Sequence, residues 1–91
     1  MIIVSQDKNG IINIDNILQL YISRCKKEEI TEYYIRYEDC NNSYEDIGTY
    51  KTEERAKEVL QEIIRVYTCW ENFKYGMAEG IVTPKYEMPE D

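Results

Sequence analysis

A stretch of regular apolar spacing between Thr52 and Trp70 constrains the fold of this chain more than any other segment. Its apolar residues recur at alternating intervals of three and one, the pattern of one face of an α-helix. They are Ala56, Val59, Leu60, Ile63, Ile64 and Tyr67. Charged and amide side chains fill the opposite face. Because such a helix is marginal when isolated, the pattern predicts a helix docked on another element.

Both ends of this helix have local signals. The Thr52 hydroxyl can accept a hydrogen bond from an early backbone N–H that has no helical partner, so Thr52 is the expected N-cap. Glu53 and Glu54 follow in the first turn, where the positive end of the helix dipole favours acids. We expect the helix to end within residues 72–75, with Gly76 as its stop.

The residues before the helix predict a sheet on which it can pack. Strand-like runs lie at residues 2–4, 11–14, 17–24, 30–38 and 44–50. Asn9-Gly10 is a strong hairpin signal, and Gly48 inside the last run indicates a bulge or a close backbone approach. Since consecutive strands joined by short turns usually pair in order, we predict an antiparallel β-meander of about five short strands. Residues 17–24 also tolerate a helix, so that assignment stays open.

The predicted fold class is therefore α+β, with one long amphipathic helix packed on one face of the meander. In the third run Leu18, Leu20 and Ile22 share a face. A chain of 91 residues is long enough for one domain. We assign residues 1–84 to a single α+β domain, with residues 81–83 as a candidate short edge strand. Residues 85–91 are predicted to form an acidic C-terminal tail.

Charge and cysteine usage narrow the function classes. The chain has 18 acidic residues against 11 basic ones and a net charge of −7, which argues against binding nucleic acid or an anionic membrane. Three scattered cysteines, without a CxxC motif and without histidine, do not predict a zinc site. With no signal-peptide pattern and no membrane-length apolar run, we expect a cytoplasmic protein with reduced thiols.

No motif predicts an enzyme. The four glycines are dispersed, so there is no phosphate-binding loop, and the lack of histidine excludes Ser-His and Cys-His nucleophile pairs. Paired acids lie mostly at predicted turns and strand ends, which is typical of a solvated surface. We therefore predict no catalytic residue, no cofactor and no metal ligand. A small enzyme remains an alternative that a deep pocket lined by cysteine or paired acids would support.

The aromatic residues give the one candidate binding site. Trp70, Phe73 and Tyr75 lie at the end of the predicted helix, followed by Met77. A satellite core covering the sheet edge is the more ordinary explanation for such a cluster, and a protein interface is the alternative, because these residue types are enriched in interface cores. Tyr21 and Tyr34, on the predicted exposed face of the sheet, would extend such a protein interface.

Three segments of the chain resemble small uncharacterised proteins of Gram-positive bacteria and their phages or mobile elements. These segments are IIVSQDKNGIINIDNI at the start, GTYKTEERAKEVLQEI across the helix start, and YEMPE near the end. The resemblance implies a bacterial cytoplasm and a mobile-element origin, and it carries no activity and no site residues.

Two hypotheses follow for function. The first is a small non-enzymatic protein–protein interaction module, with an unidentified protein partner or a second copy of itself. The second is an acidic decoy that inhibits a DNA-binding protein, which would require a stripe of carboxylates with phosphate-like spacing.

Overall fold

The computed structural model describes residues 1–74, 76 and 85–91. Among these residues, five strands precede the helix and one strand follows it. The elements in chain order are β1 (Ile2–Val4), β2 (Ile11–Asn13), a 3₁₀ turn (Ile14–Asn16), β3 (Ile17–Lys27), β4 (Ile30–Asp39), β5 (Tyr44–Tyr50), α1 (Glu53–Lys74) and β6 (Lys85–Glu87).

The strands form two sheets, and the predicted α+β class is confirmed. β3, β4 and β5 make the antiparallel meander on which α1 packs. β1 and β2 do not continue that meander; with β6 they form a second sheet in the order β2-β1-β6, in which β6 runs parallel to β1. The 3₁₀ turn redirects the chain after β2, since the Asn13 side chain accepts from the Asp15 N–H at 3.1 Å. This turn prevents a tight β2–β3 hairpin.

Residues 85–91, which we predicted to be an acidic tail, take part in the fold. They supply β6 and the side chain of Met88, which is only 3% exposed. The Met88 N–H donates to the Val4 carbonyl at 3.0 Å. Charged and apolar residues alternate through this segment, with Lys85 and Glu87 exposed and Tyr86 half-buried. The candidate strand at residues 81–83 lies outside the described part of the chain.

One hydrophobic core joins both sheets, the helix and the C-terminal segment. Its buried side chains are Met1, Ile3, Ile35, Ile47, Tyr50, Ala56, Val59, Ile63 and Met88. Two predicted core positions are exposed instead. Leu18 is 69% exposed because the strand bulges between Ile17 and Gln19, and Ile64 is 48% exposed. Ile64 lies about 100° around the helix from Ile63. Val66 and Trp70 pack against the core on the other flank of the helix.

Both predicted helix ends are confirmed. The Arg55 N–H donates to the Thr52 hydroxyl at 3.1 Å, so Thr52 is the N-cap. Gly76 has φ = +72° and its N–H donates to the Phe73 carbonyl at 3.0 Å, which terminates the helix.

The two glycine signals have different outcomes in detail. The β1–β2 hairpin is confirmed, but its loop spans residues 5–10 and the left-handed residue is Lys8 (φ = 63°). At Gly48 the predicted bulge is present, because Ile35 pairs with Gly48 while the next residue, Arg36, pairs with Asp46. The close approach is present too, since a Cβ at Gly48 would lie 2.8 Å from the Met88 methyl carbon.

Candidate functional site

The side of the β3-β4-β5 sheet turned away from α1 is the candidate binding surface, here called the open face. On β4, Ile35 points into the core, and the residues that pair with it on β3 and β5 lie on the same side of the sheet. Because side chains alternate along a strand, the residues that lie between core-facing positions point away from α1. The residues that form the centre of the open face are Tyr21, Glu32, Tyr34, Arg36, Glu38, Tyr44 and Asp46. Tyr44 is 58% exposed.

Arg36 organises the middle of this surface. Its Nε donates to Asp46 Oδ1 at 2.7 Å and its Nη2 to Oδ2 at 3.3 Å, so the carboxylate holds the guanidinium at two points. The guanidinium carbon lies 4.4 Å from the ring centroid of Tyr44. The hydrogen bond that Arg36 donates to Asp46 is the main reason that the pKa of Arg36 is raised above its usual value.

Two tyrosine hydroxyls on the open face donate to carboxylates. Tyr21 donates to Glu38 Oε1 at 2.9 Å, and Tyr34 donates to the carboxylate of Glu32. These hydrogen bonds are the main reason that the Tyr21 pKa is raised and that the Tyr34 pKa is raised to about 12. Both phenols therefore stay protonated at neutral pH, and their rings are held in one orientation.

The structure divides the predicted interface residues between two sides of the sheet. Tyr21 and Tyr34 are near neighbours on the open face, since Tyr21 pairs with Arg36 and Tyr34 with Ser23. Trp70 and Phe73 lie on α1, on the opposite side, with stacked rings 5.9 Å apart. Trp70 packs against the core, as a satellite core would, while Phe73 is 40% exposed. Tyr75 and Met77 lie outside the described residues.

The sequence did not indicate that Arg36 and Tyr44 contact each other at the centre of the open face. Strand alternation does place Arg36 on the same face as Tyr34. The stacking of Arg36 on Tyr44 depends on the register of β5, which shifts at the bulge beside Gly48. A bulge position is a weak signal in a single sequence.

A polar cleft of about 440 Å³ lies where the two sheets meet, between the loop at residues 5–10 and β5. Its carboxylates come from Asp7, Glu45 and Asp46. Tyr37 donates to Glu45 at 3.0 Å, and Arg36 holds Asp46. The Ser5 hydroxyl donates to Asp7 at 2.6 Å, and this bond is the main cause of the lowered pKa of Asp7. A general acid would need a raised pKa, so Asp7 is poorly suited to that role.

The three cysteines belong to no cluster of metal-binding side chains in the described residues. Cys25 is half-buried, Cys40 and Cys69 are exposed, and all three are free thiols. Within residues 1–74, 76 and 85–91, no group of three or more cysteine and carboxylate side chains converges as metal ligands would.

No protein-family model, curated protein or solved structure matches this chain. Across the described residues, no helix has both the length and the apolar character needed to cross a lipid bilayer.

Proposed function

We propose that this chain is a small non-enzymatic protein–protein interaction module that docks a partner protein on its open face. The observation that carries the proposal is the group of three tyrosines, Tyr21, Tyr34 and Tyr44, around Arg36 on one face of a sheet. Tyrosine and arginine are the residue types most enriched, with tryptophan, among residues that dominate binding energy.

The internal bonds of this surface support binding because they order it in advance. Arg36 is held by Asp46 and stacks on Tyr44, and the hydroxyls of Tyr21 and Tyr34 are held by carboxylates. Immobilising a flexible side chain on binding costs about 0.5–1.5 kcal/mol. Side chains that are already ordered avoid most of that cost, so more of the contact energy appears as affinity.

The charge of the open face favours a basic partner. Three carboxylates, those of Glu32, Glu38 and Asp46, surround the tyrosines together with one guanidinium, that of Arg36. The centre of the open face is therefore negatively charged, as is the chain as a whole, with a net charge of −7. Complementary charge speeds association and disfavours wrong partners. The same charge opposes face-to-face pairing of two open faces, so we place the partner's Lys and Arg residues opposite this surface.

The acidic decoy is the alternative, and it rests on the net charge alone. A decoy needs a row of carboxylates free to replace phosphates, but those of the open face are engaged with tyrosine hydroxyls or with Arg36. The outer face of α1 mixes the two signs, with Lys57 paired to Glu53 at 3.1 Å and Arg55 to Glu58 at 3.0 Å. This interleaving favours the interaction module over the decoy.

The test compares three tagged baits in pull-downs from a Gram-positive bacterial lysate, with bound proteins quantified by mass spectrometry. The baits are the native chain, the open-face variant Tyr34→Ala/Tyr44→Ala, and the control Phe73→Ala, which removes an exposed aromatic from the other side of the sheet. We expect the control to capture the same proteins as the native chain. The open-face variant should lose about tenfold or more in affinity, as for central interface residues.

Equal capture by all three baits, or loss with Phe73→Ala alone, would contradict docking on the open face. Washing at low and then high salt separates the two candidate functions. The decoy would be favoured if the bait captures a nucleic-acid-binding protein that is released at high salt and is captured equally by the Tyr34→Ala/Tyr44→Ala variant. Circular dichroism of each bait confirms that the variants are folded.

We also propose a bacterial cytoplasmic setting and a mobile-element origin. The resemblance of the three segments noted above supports the origin, and the three free thiols fit a reducing compartment. Fractionation of cells that express the tagged chain tests the compartment.

A further inference from the structure

The two edges of the β3-β4-β5 sheet differ. The β5 edge is occupied, because the Gln6 N–H donates to the Ile47 carbonyl at 2.8 Å and the Gln6 side chain bonds both the N–H and the carbonyl of Thr49. Within the described residues, β3 pairs only with β4, so its other edge has no partner strand. At 11 residues, β3 is also the longest of the described strands. A long bare edge presents a row of main-chain donors and acceptors to another chain.

The sequence of β3 leaves the middle of this edge unprotected. Natural edge strands are guarded by charges, prolines, bulges or short length. Here the bulge lies at the start, between Ile17 and Gln19, and the charges lie at the end, at Arg24, Lys26 and Lys27. The stretch between them, Gln-Leu-Tyr-Ile-Ser at residues 19–23, contains no charge and no proline.

We propose that β3 pairs antiparallel with β3 of a second copy of this chain, forming one continuous six-stranded sheet across a two-fold axis near Tyr21. This surface is the main-chain edge of β3, and Tyr21 is the side chain that it shares with the docking surface on the open face. Antiparallel pairing of a strand with its own copy is self-complementary, as a two-fold interface requires. It also sets two Tyr21 rings side by side, and such cross-strand aromatic pairs stabilise sheets.

The charges along β3 match this arrangement. The positive charges of β3 lie at its end, at Arg24, Lys26 and Lys27, so in the antiparallel dimer they lie beside the start of β3 in the other copy. Glu38 and Asp39 pair with the first residues of β3 and make that end of the sheet acidic. Parallel pairing would instead bring the basic ends of both strands together. The charges therefore select the antiparallel dimer.

Asp15, in the 3₁₀ turn just before β3, adds to the negative charge at the start of the strand. Its side chain is 43% exposed, although Oδ1 lies 3.5 Å from the Tyr67 hydroxyl and Oδ2 lies 3.6 Å from the Met1 nitrogen. All the charged residues within β3 are basic. Glu28 and Glu29 follow Lys27 in the β3–β4 hairpin loop, farther from the two-fold axis of the dimer.

The experiment measures sedimentation velocity of the full chain from low micromolar to submillimolar concentration, under reducing conditions. We expect a concentration-dependent monomer–dimer equilibrium. Lys27→Glu makes the basic ends of the paired strands less positive and Asp15→Lys makes the acidic ends less negative, so each variant should weaken dimerisation by about tenfold or more. An equimolar mixture of these two variants restores opposite charges at both ends of the paired strands, so it should form a heterodimer more tightly than either variant forms a homodimer. Lys8→Glu is the control, with the same charge change on the exposed hairpin loop.

Three results would overturn the proposal. They are a monomeric native chain at every concentration, a dimer that Lys27→Glu and Asp15→Lys do not weaken more than Lys8→Glu does, and a mixture that dimerises no better than its components. Hydrogen exchange on the native chain gives a readout free of variants. Main-chain amides in residues 19–23 should exchange more slowly at high concentration than at low, while those of β5 should not change. Equal exchange at both concentrations would also refute the β3 pairing.

Discussion

Replacing Gln6 by alanine should disconnect the parts of the fold that meet at its side chain. The side-chain amide nitrogen lies 3.0 Å from the Thr49 carbonyl, 3.1 Å from that of Pro89 and 2.8 Å from that of Glu90. The side-chain oxygen accepts from the Thr49 N–H at 2.8 Å. One side chain thus links the β1–β2 loop, β5 and the C-terminal segment.

The size of the effect follows from these contacts. An amide nitrogen has two hydrogens, so only two of the three carbonyls are bonded at once, and the accepted bond makes three. Three bonds at about 0.5–1.5 kcal/mol each give a gross loss of about 1.5–4.5 kcal/mol. The freed side-chain entropy returns about 1.5 kcal/mol, and the exposed Thr49 N–H can bond water instead. We therefore expect a net loss of about 1–2 kcal/mol in unfolding free energy, or about 5–15 °C in Tm.

Urea denaturation followed by the fluorescence of Trp70, the single tryptophan, measures this loss. Gln19→Ala is the matched control, because Gln19 is exposed on β3. Gln6→Glu should be less stable still at neutral pH, since a carboxylate cannot donate to the carbonyls of Pro89 and Glu90. Hydrogen exchange of residues 86–91 should speed up in both Gln6 variants. If Gln6→Ala and Gln19→Ala unfold within about 0.5 kcal/mol of each other, the proposed linking role is wrong.

Three further predictions test other parts of the fold. Gly48→Ala should lower the unfolding free energy by about 1–3 kcal/mol, because its Cβ would lie 2.8 Å from Met88 Cε; combining it with Met88→Ala should give less than additive destabilisation in urea. Burial is the main cause of the raised Tyr86 pKa, so the stability that Tyr86 contributes below the unfolded value of about 10 is lost as pH rises above it. Tyr86→Phe should therefore show a flatter decline of Tm at alkaline pH than the native chain, and an unchanged decline would contradict this. Glu28→Gly should change stability little or raise it by up to about 1 kcal/mol, because Glu28 has φ = 56°, whereas Glu29→Gly should destabilise the same loop.

The candidate site was partly readable from the sequence. Strand alternation is a local rule, and it correctly grouped Tyr21 and Tyr34 on the same face. It did not separate them from Trp70 and Phe73, because the side of the sheet that α1 covers depends on long-range packing. The contact of Arg36 with Tyr44 could not be predicted from the sequence either, because it depends on the register of β5 against β4.

Signals within a few residues of one another were sufficient for the helix and for β4 and β5, and they favoured a strand over a helix for β3. The start at Thr52, the stop at Gly76 and the meander of β3, β4 and β5 follow from caps, period and short turns, all of which are local. The sequence by itself therefore determined the α+β class and the packing of the helix on that meander.

Only the tertiary structure decided where β1, β2 and the last residues belong. β6 and β1 pair although they lie at opposite ends of the chain. By sequence alone, the run from Lys85 to Met88 resembles a charged tail, and only the burial of its alternate residues in the core shows that it belongs to the fold. Three-residue strands have too little local preference to specify a partner. Their pairing is selected by the apolar area that Ile3 and Met88 bury together with α1 and by the hydrogen bonds of Gln6, and these contacts exist only once the whole chain has folded.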